Sequence, residues 1–62
     1  MLSIGLCDDR QDSRQSLRWL LESILENRMI EHRIFEFSSG ETLLGWMEKH
    51  PNEIDLLFLD IG

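Results

Sequence analysis

The stretch that decides the fold is residues 54–60, which reads Ile-Asp-Leu-Leu-Phe-Leu-Asp. Its apolar residues follow one another almost without interruption. Such a run is typical of a strand that is buried on both faces of a parallel sheet. We therefore predict that the last element of the chain is a strand at about residues 54–60, in a parallel sheet.

Two further strands are predicted upstream, with a helix between them. Residues 2–7 alternate in polarity and stop at Asp8, which predicts a short strand. Residues 33–37 predict a second strand, whose charged side chains suit the edge of a sheet. Between them, residues 12–28 have the apolar spacing of an amphipathic helix. The residues that form this apolar stripe are Leu17, Leu20, Leu21, Ile24 and Leu25.

A capping box predicts where the second helix begins. Residues 38–41 read Ser-Ser-Gly-Glu, so the side chains of Ser38 and Glu41 would each accept a hydrogen bond from the other residue's free backbone N–H. Pro51 cannot continue a helix, and the residue before a proline disfavours helical backbone angles. We therefore place the second helix at about residues 39–49.

The alternation of strands and helices determines the topology. Parallel strands need crossover connections, and crossovers that contain a helix are right-handed. The three strands therefore lie parallel in one open sheet. The resemblance described below implies the strand order 2-1-3. We expect an α/β fold, formed by a β-α-β-α-β unit of a doubly wound parallel sheet, in one domain over residues 1–62.

The composition excludes several classes of protein. The chain has 62 residues, a net charge of −6 and a single cysteine, Cys7. An acidic surface is unsuited to binding nucleic acid or anionic lipid through phosphates, and one cysteine cannot form an internal disulfide. No apolar run reaches the ~18 residues of a membrane span, and no signal-peptide pattern is present. We expect a soluble, cytoplasmic protein that handles a cation or a protein partner.

Three carboxylates are predicted to meet at one edge of the sheet. Asp8 and Asp9 follow the first strand, Asp60 ends the third, and parallel strands end at the same edge. Carboxylates ~5 Å apart repel by ~3 kcal/mol per pair at an effective dielectric of ~20, and a divalent cation removes that cost. Because Mg²⁺ prefers oxygen ligands, we predict a Mg²⁺ site in which Asp60 could act as a nucleophile and form an aspartyl phosphate. Asp55 lies at the other end of its strand and is excluded.

Three segments of the chain carry a resemblance to a known family. They read Leu6-Cys7-Asp8-Asp9, Phe37-Ser38-Ser39-Gly40-Glu41 and Asp55-Leu56-Leu57-Phe58-Leu59-Asp60-Ile61. Together they resemble the first half of the receiver domain of two-component response regulators, over essentially all 62 residues. The resemblance implies a flavodoxin-like sheet, truncated after its third strand. The first two segments also look like receivers that are attached to LytTR-type DNA-binding output domains.

The resemblance implies a role for each carboxylate. Asp60 would accept a phosphoryl group from a histidine kinase, and Mg²⁺ would be held by Asp8, Asp9, Asp60 and the backbone carbonyl of Gly62. Asp9 would be the direct ligand, and Asp8 would act more through water. The family also uses a later Ser or Thr and a later Lys, which these 62 residues do not contain. The resemblance therefore implies a signalling switch rather than an enzyme, with little activity in this fragment alone.

Two other functions are compatible with the sequence. The chain could be an interaction module without phosphotransfer, and we expect it to form a homodimer through the exposed edge of residues 54–60. Acid clusters at a sheet edge also serve metal-assisted phosphohydrolases. The Asp-x-Asp-Gly sequence of the best-known phosphohydrolases is absent, which counts against that alternative.

Overall fold

The computed structural model of the protein describes residues 1–60, which form a three-stranded parallel sheet and two helices. In chain order the elements are β1 (Leu2–Asp8), α1 (Gln11–Asn27), β2 (His32–Phe37), α2 (Gly40–Lys49) and β3 (Leu56–Asp60). The sheet order is β2-β1-β3, which confirms the predicted α/β topology. Neither α1 nor any other helix within residues 1–60 is long and apolar enough to cross a membrane.

The central strand, β1, pairs in parallel with both of its neighbours. Ile4 and Leu6 are each only 1% exposed, because β1 has a strand on either side and helices above and below. Cys7 lies opposite Phe37 of β2 on one side and opposite Leu59 of β3 on the other. The two neighbouring strands can therefore be compared residue by residue across β1.

The core consists of two clusters on opposite faces of the sheet. Ile4 and Leu6 pack with Leu25 of α1 on one face. Cys7 packs with Leu43 of α2 in the other cluster. Because successive side chains of a strand point to opposite faces, α1 and α2 cover opposite faces of the sheet.

The N-terminal cap of α2 lies one residue later than the capping box predicted. The cap is Ser39, whose Oγ accepts a hydrogen bond from the backbone N–H of Thr42 at 3.2 Å. The predicted reciprocal pair of Ser38 and Glu41 is therefore wrong. The position of the helix is set by Leu43, which is buried in the core and donates its backbone N–H to the Ser39 carbonyl.

The last strand is shorter and more exposed than its sequence predicts. It begins at Leu56 rather than Ile54, and Asp55, directly before it, is bound to Ser3 of β1. The Asp55 N–H donates to the Ser3 carbonyl, and Asp55 Oδ2 accepts the Ser3 N–H, both at 2.8 Å. Every residue of β3 is exposed, although its apolar sequence is typical of a strand that is buried on both faces. The reason is that the helices lie over β1 and β2.

Candidate functional site

Asp8 and Asp60 are neighbours where β1 and β3 end. They are register partners in two adjacent parallel strands, so both carboxylates lie at the same edge of the sheet. Ligands of open α/β sheets bind outside these carboxyl ends, where successive helices leave for opposite faces. Asp55 lies at the other end of the sheet, bonded to Ser3. The structure thus brings together two of the predicted metal ligands.

A pocket of about 110 Å³ opens between these strand ends and α1. Asp8, Arg14 and Asp60 supply the charged groups of its wall. The rest of the lining is mainly apolar and comprises Leu6, Cys7, Leu17, Phe58 and Leu59. Sites for drug-sized molecules usually have ~300–1,000 Å³. This pocket therefore suits an ion with a few waters.

Asp8 is buried and held in one orientation. The residue is 5% exposed, and its Oδ1 accepts the backbone N–H of Arg10 at 2.9 Å. Its own backbone carbonyl accepts a hydrogen bond from Arg14 Nη1 at 2.8 Å. Both the side chain and the main chain of Asp8 are therefore fixed before any ligand binds.

Asp9 does not join this pair. It lies in the bend after β1, is exposed, and is not part of the pocket lining. The bend turns the chain away from the strand end, so of the two adjacent aspartates only Asp8 lines the pocket. Among residues 1–60, no group of three or more His, Cys, Asp or Glu side chains is placed to hold a metal ion. The remaining predicted ligand, Gly62, lies outside the described residues.

The pair of Asp8 and Asp60 nevertheless fits the ligand chemistry of Mg²⁺. This ion is usually bound through one or two carboxylates and keeps several waters. Adjacent strands are ~4.8 Å apart, and two unit charges at about that distance repel by ~3 kcal/mol at an effective dielectric of ~20. A bound cation would remove this repulsion. The geometry therefore supports a site with two carboxylates rather than three.

Arg14 is the residue of this site that the sequence analysis missed. Its side chain is only 15% exposed, and besides the Asp8 carbonyl it contacts Glu36, to which Arg14 Nε donates at 3.1 Å. Its position could have been predicted from helical spacing. Arg14 lies three residues before Leu17 and hence on the side of α1 that faces the sheet. A charged residue in that stripe needs a partner of opposite charge, and Glu36 of β2 is the partner.

Glu36 links α1 to β2 beside the pocket. It accepts hydrogen bonds from Arg18 Nη1 and from Arg14 Nε, and Arg18 also pairs with Glu22 at 2.9 Å. The hydrogen bond from Arg18, with the help of Arg14, holds the pKa of Glu36 below its usual value although partial burial acts in the opposite direction. The same bond to Glu36, followed by that to Glu22, raises the pKa of Arg18. Both residues are therefore charged across the physiological pH range.

Comparisons with known proteins found no relative. No protein-family model matches the chain, and neither does any curated protein or solved structure. The function must therefore be argued from the geometry of the site and from the resemblance of the sequence segments.

Proposed function

We propose that this chain is the amino-terminal half of a receiver domain, in which Asp60 accepts a phosphoryl group from a histidine kinase. The observation that carries the proposal is the pairing of Asp8 with Asp60 at the carboxyl ends of adjacent parallel strands. The sheet order and the two helices on opposite faces agree with a flavodoxin-like half-sheet. Phosphorylation would switch an output domain, for which the sequence segments favour the LytTR-type DNA-binding class.

Asp60 has the position of a nucleophile. It is exposed at the end of β3, so a phosphoryl donor can approach one of its carboxylate oxygens. The bond from this oxygen to phosphorus forms as the bond from phosphorus to the imidazole nitrogen of the donor breaks. The nitrogen keeps the bonding electron pair, and the product is an aspartyl phosphate on Asp60.

Asp8 has the position of a metal ligand. Its carboxylate is buried beside Asp60 and oriented by the Arg10 N–H, while Arg14 fixes the backbone at the strand end. Together, Asp8 and Asp60 would hold Mg²⁺ with water completing the coordination. When bound, this cation neutralises negative charge on the phosphoryl oxygens.

Efficient transfer needs further donors to the phosphoryl oxygens. The resemblance implies that a Ser or Thr and a Lys of the second half of the domain supply them. Losing one such donor typically costs ~10²–10³ in rate. We therefore expect the 62-residue chain to be nearly inert towards acetyl phosphate and to gain activity when the second half of a receiver is added in trans.

The test is the incorporation of labelled phosphate in the presence of Mg²⁺, with and without the complementing half. Asp60→Asn is the blank, and Asp8→Asn should remove the dependence of labelling on Mg²⁺. Glu26→Gln removes one exposed negative charge near the other end of α1 and should behave as wild type. Labelling of Asp60→Asn as strong as that of the wild type would overturn the proposal.

Asp9→Asn separates the two descriptions of the metal site. The resemblance makes Asp9 the direct ligand, whereas the structure places it outside the pocket. Titration of Mg²⁺ by calorimetry should therefore give wild-type affinity for Asp9→Asn and a clear loss for Asp8→Asn. The reverse result would show that the strand end rearranges when the ion binds.

A further inference from the structure

Arg14 lies between two groups of negative charge on the face of the sheet that α1 covers. Glu36 of β2 is on one side, and it accepts a hydrogen bond from Arg14 Nε at 3.1 Å. Asp8 and Asp60, at the ends of β1 and β3, share the wall of a pocket of about 110 Å³ with Arg14. Because β1 lies between β2 and β3, the two groups of negative charge flank the guanidinium on different sides.

The structure shows Arg14 paired with Glu36. Its other contact with the strand ends is to the backbone carbonyl of Asp8, to which Nη1 donates at 2.8 Å. The Asp8 carboxylate instead accepts the backbone N–H of Arg10. The side chains of Arg14 and Glu36 are only 15% and 25% exposed, so solvent screens their attraction little. Glu36 therefore keeps the guanidinium turned towards β2.

This pairing determines how much charge the pocket offers to a cation. The charges of Arg14 and Glu36 cancel, so Asp8 and Asp60 keep a combined charge that matches one divalent ion. Without Glu36, the carboxylates next to Arg14 would be those of the pocket wall. A guanidinium bonded to them would occupy oxygens that the ion needs, and it would repel the ion.

Arg18 also contacts Glu36, but it has a second carboxylate partner. It pairs with Glu22, four residues later in α1, at 2.9 Å. Arg18 therefore keeps a partner when Glu36 is removed, whereas Arg14 borders the pocket. Loss of Glu36 should thus act on the cation site through Arg14.

We infer that Glu36 is a positioning residue for the cation site, because it holds Arg14 away from Asp8 and Asp60 and leaves both carboxylates free for Mg²⁺. Glu36 acts through Arg14 and is not itself a ligand. This role rests on the Mg²⁺ site of the proposed function and extends that site to β2. The contacts that carry it join α1 to β1 and β2, so the free edge of β3 is not involved.

The first test is calorimetric titration of the 62-residue chain with Mg²⁺ at constant ionic strength. Glu36→Gln should raise the dissociation constant about tenfold, because the ion must then displace a charge-assisted hydrogen bond from Arg14 to an aspartate. Glu22→Gln is the matched control, since it removes the same charge from a partner of Arg18 and leaves Arg14 on Glu36. It should change the constant by less than about twofold. Equal effects of the two variants would overturn the inference.

The double variant Arg14→Gln/Glu36→Gln separates positioning from a merely structural role. It removes the competing guanidinium together with the residue that holds it. We therefore expect it to bind Mg²⁺ several-fold more tightly than Glu36→Gln alone, under conditions in which circular dichroism shows both to be folded. A structural role predicts the opposite order, because the double variant loses more contacts between α1 and the sheet. Binding no tighter than that of Glu36→Gln would count against positioning.

The second test observes Arg14 directly, through the NMR signal of its Nε–H group. In the wild type this group is bonded to Glu36 with or without the ion, so its signal should move little when Mg²⁺ is added. In Glu36→Gln the ion displaces the guanidinium from the aspartates, so the signal should move and its proton should exchange faster with water. A wild-type signal that moves as far as that of the variant would contradict the inference.

Asp8→Asn distinguishes failure of this role from failure of the metal site. If Asp8→Asn binds Mg²⁺ as the wild type does, the proposed site is wrong and the role of Glu36 is overturned with it. If Asp8→Asn weakens binding but Glu36→Gln does not, the metal site stands and only the role of Glu36 is overturned. Weaker binding by both variants, with recovery in the double variant, is the expected result.

Discussion

The two edges of the sheet flank the same strand but are built in different ways. At the β2 edge, Phe37 is only 5% exposed, and the ring of Trp46 packs 4.8 Å from that of Phe35, measured between ring centroids. At the β3 edge, every residue is exposed although the sequence is more apolar. The difference shows that apolar sequence does not bury a strand by itself. Burial requires a helix above the strand, and the two helices lie over β1 and β2.

The edges also differ in how they respond to another strand. β2 carries the charged residues Arg33 and Glu36. Charged side chains discourage a further strand from pairing with an open edge. Between Leu56 and Leu59 there is no such residue. Charge therefore disfavours strand pairing at the β2 edge and does not do so at the β3 edge, so substitutions at matched positions should have very different effects.

The largest difference is expected for Phe37→Ala and Leu59→Ala, whose wild-type residues flank Cys7 on opposite sides. Removing the buried Phe37 ring should lower the free energy of unfolding by ~3–5 kcal/mol. Removing Leu59, which is 57% exposed, should lower it by less than ~1 kcal/mol in the monomer. Urea denaturation followed by circular dichroism, at a concentration below that of self-association, measures both. Equal losses would show that β3 is packed as tightly as β2.

The architecture of the fold could be predicted from the sequence because each element has a local signal. The leucine stripe predicted α1, and the apolar run predicted β3. Helical periodicity, however, predicts only which face of a helix is apolar. It does not predict whether another element packs against that face. Leu20 and Ile24 belong to the predicted stripe but are 49% and 45% exposed, because no helix or strand within residues 1–60 covers that flank of α1.

The candidate site was predictable only in part, because the sequence predicts where strands end but not where each side chain points. The strand ends predicted that Asp8 and Asp60 would be neighbours, because parallel strands share an edge. The direction of the Asp9 side chain depends on the local backbone, which a pair of adjacent aspartates in a sequence does not reveal. The role of Arg14 depends on Glu36, which is distant in sequence and meets it only after β2 joins the sheet.

The second prediction concerns the charged groups that join β2 to α1. Glu36→Gln removes the charge that Arg14 and Arg18 contact, and it should lower the free energy of unfolding by ~1–2 kcal/mol at neutral pH. The pKa of Glu36 in the folded protein lies below the ordinary value of 4.5. Its contribution is therefore present above that value and is lost as the pH falls through the lower folded value.

Unfolding at a series of pH values checks this prediction. The difference between wild type and Glu36→Gln should shrink in acid. At the exposed Glu48 of α2, the same substitution should change stability by less than ~0.5 kcal/mol. A difference between wild type and Glu36→Gln that persists unchanged in strong acid would show that packing, not charge, holds this edge.

The smallest effect is expected for Gly45→Ala, within the helix that covers the β2 side. A methyl group at this exposed position would meet no atom within 4 Å, so the substitution should stabilise the protein by ~1 kcal/mol through helix propensity. Thermal unfolding would show the gain. Gly5→Ala in β1 is the counterpart next to β3. Its new Cβ would lie 3.0 Å from side-chain atoms of Ile54 and Leu57, so it should not share the gain.

The burial of Cys7 has a kinetic consequence. It is the only cysteine of the chain and is 2% exposed, with β2 on one side and β3 on the other. A thiol reagent can reach its sulfur only when a strand or helix moves away, so the rate of labelling follows the frequency of that local opening. Because β3 is the less covered neighbour, the opening should occur mainly on its side. Labelling of Cys7 thus measures how often an intact molecule opens, which equilibrium denaturation does not report.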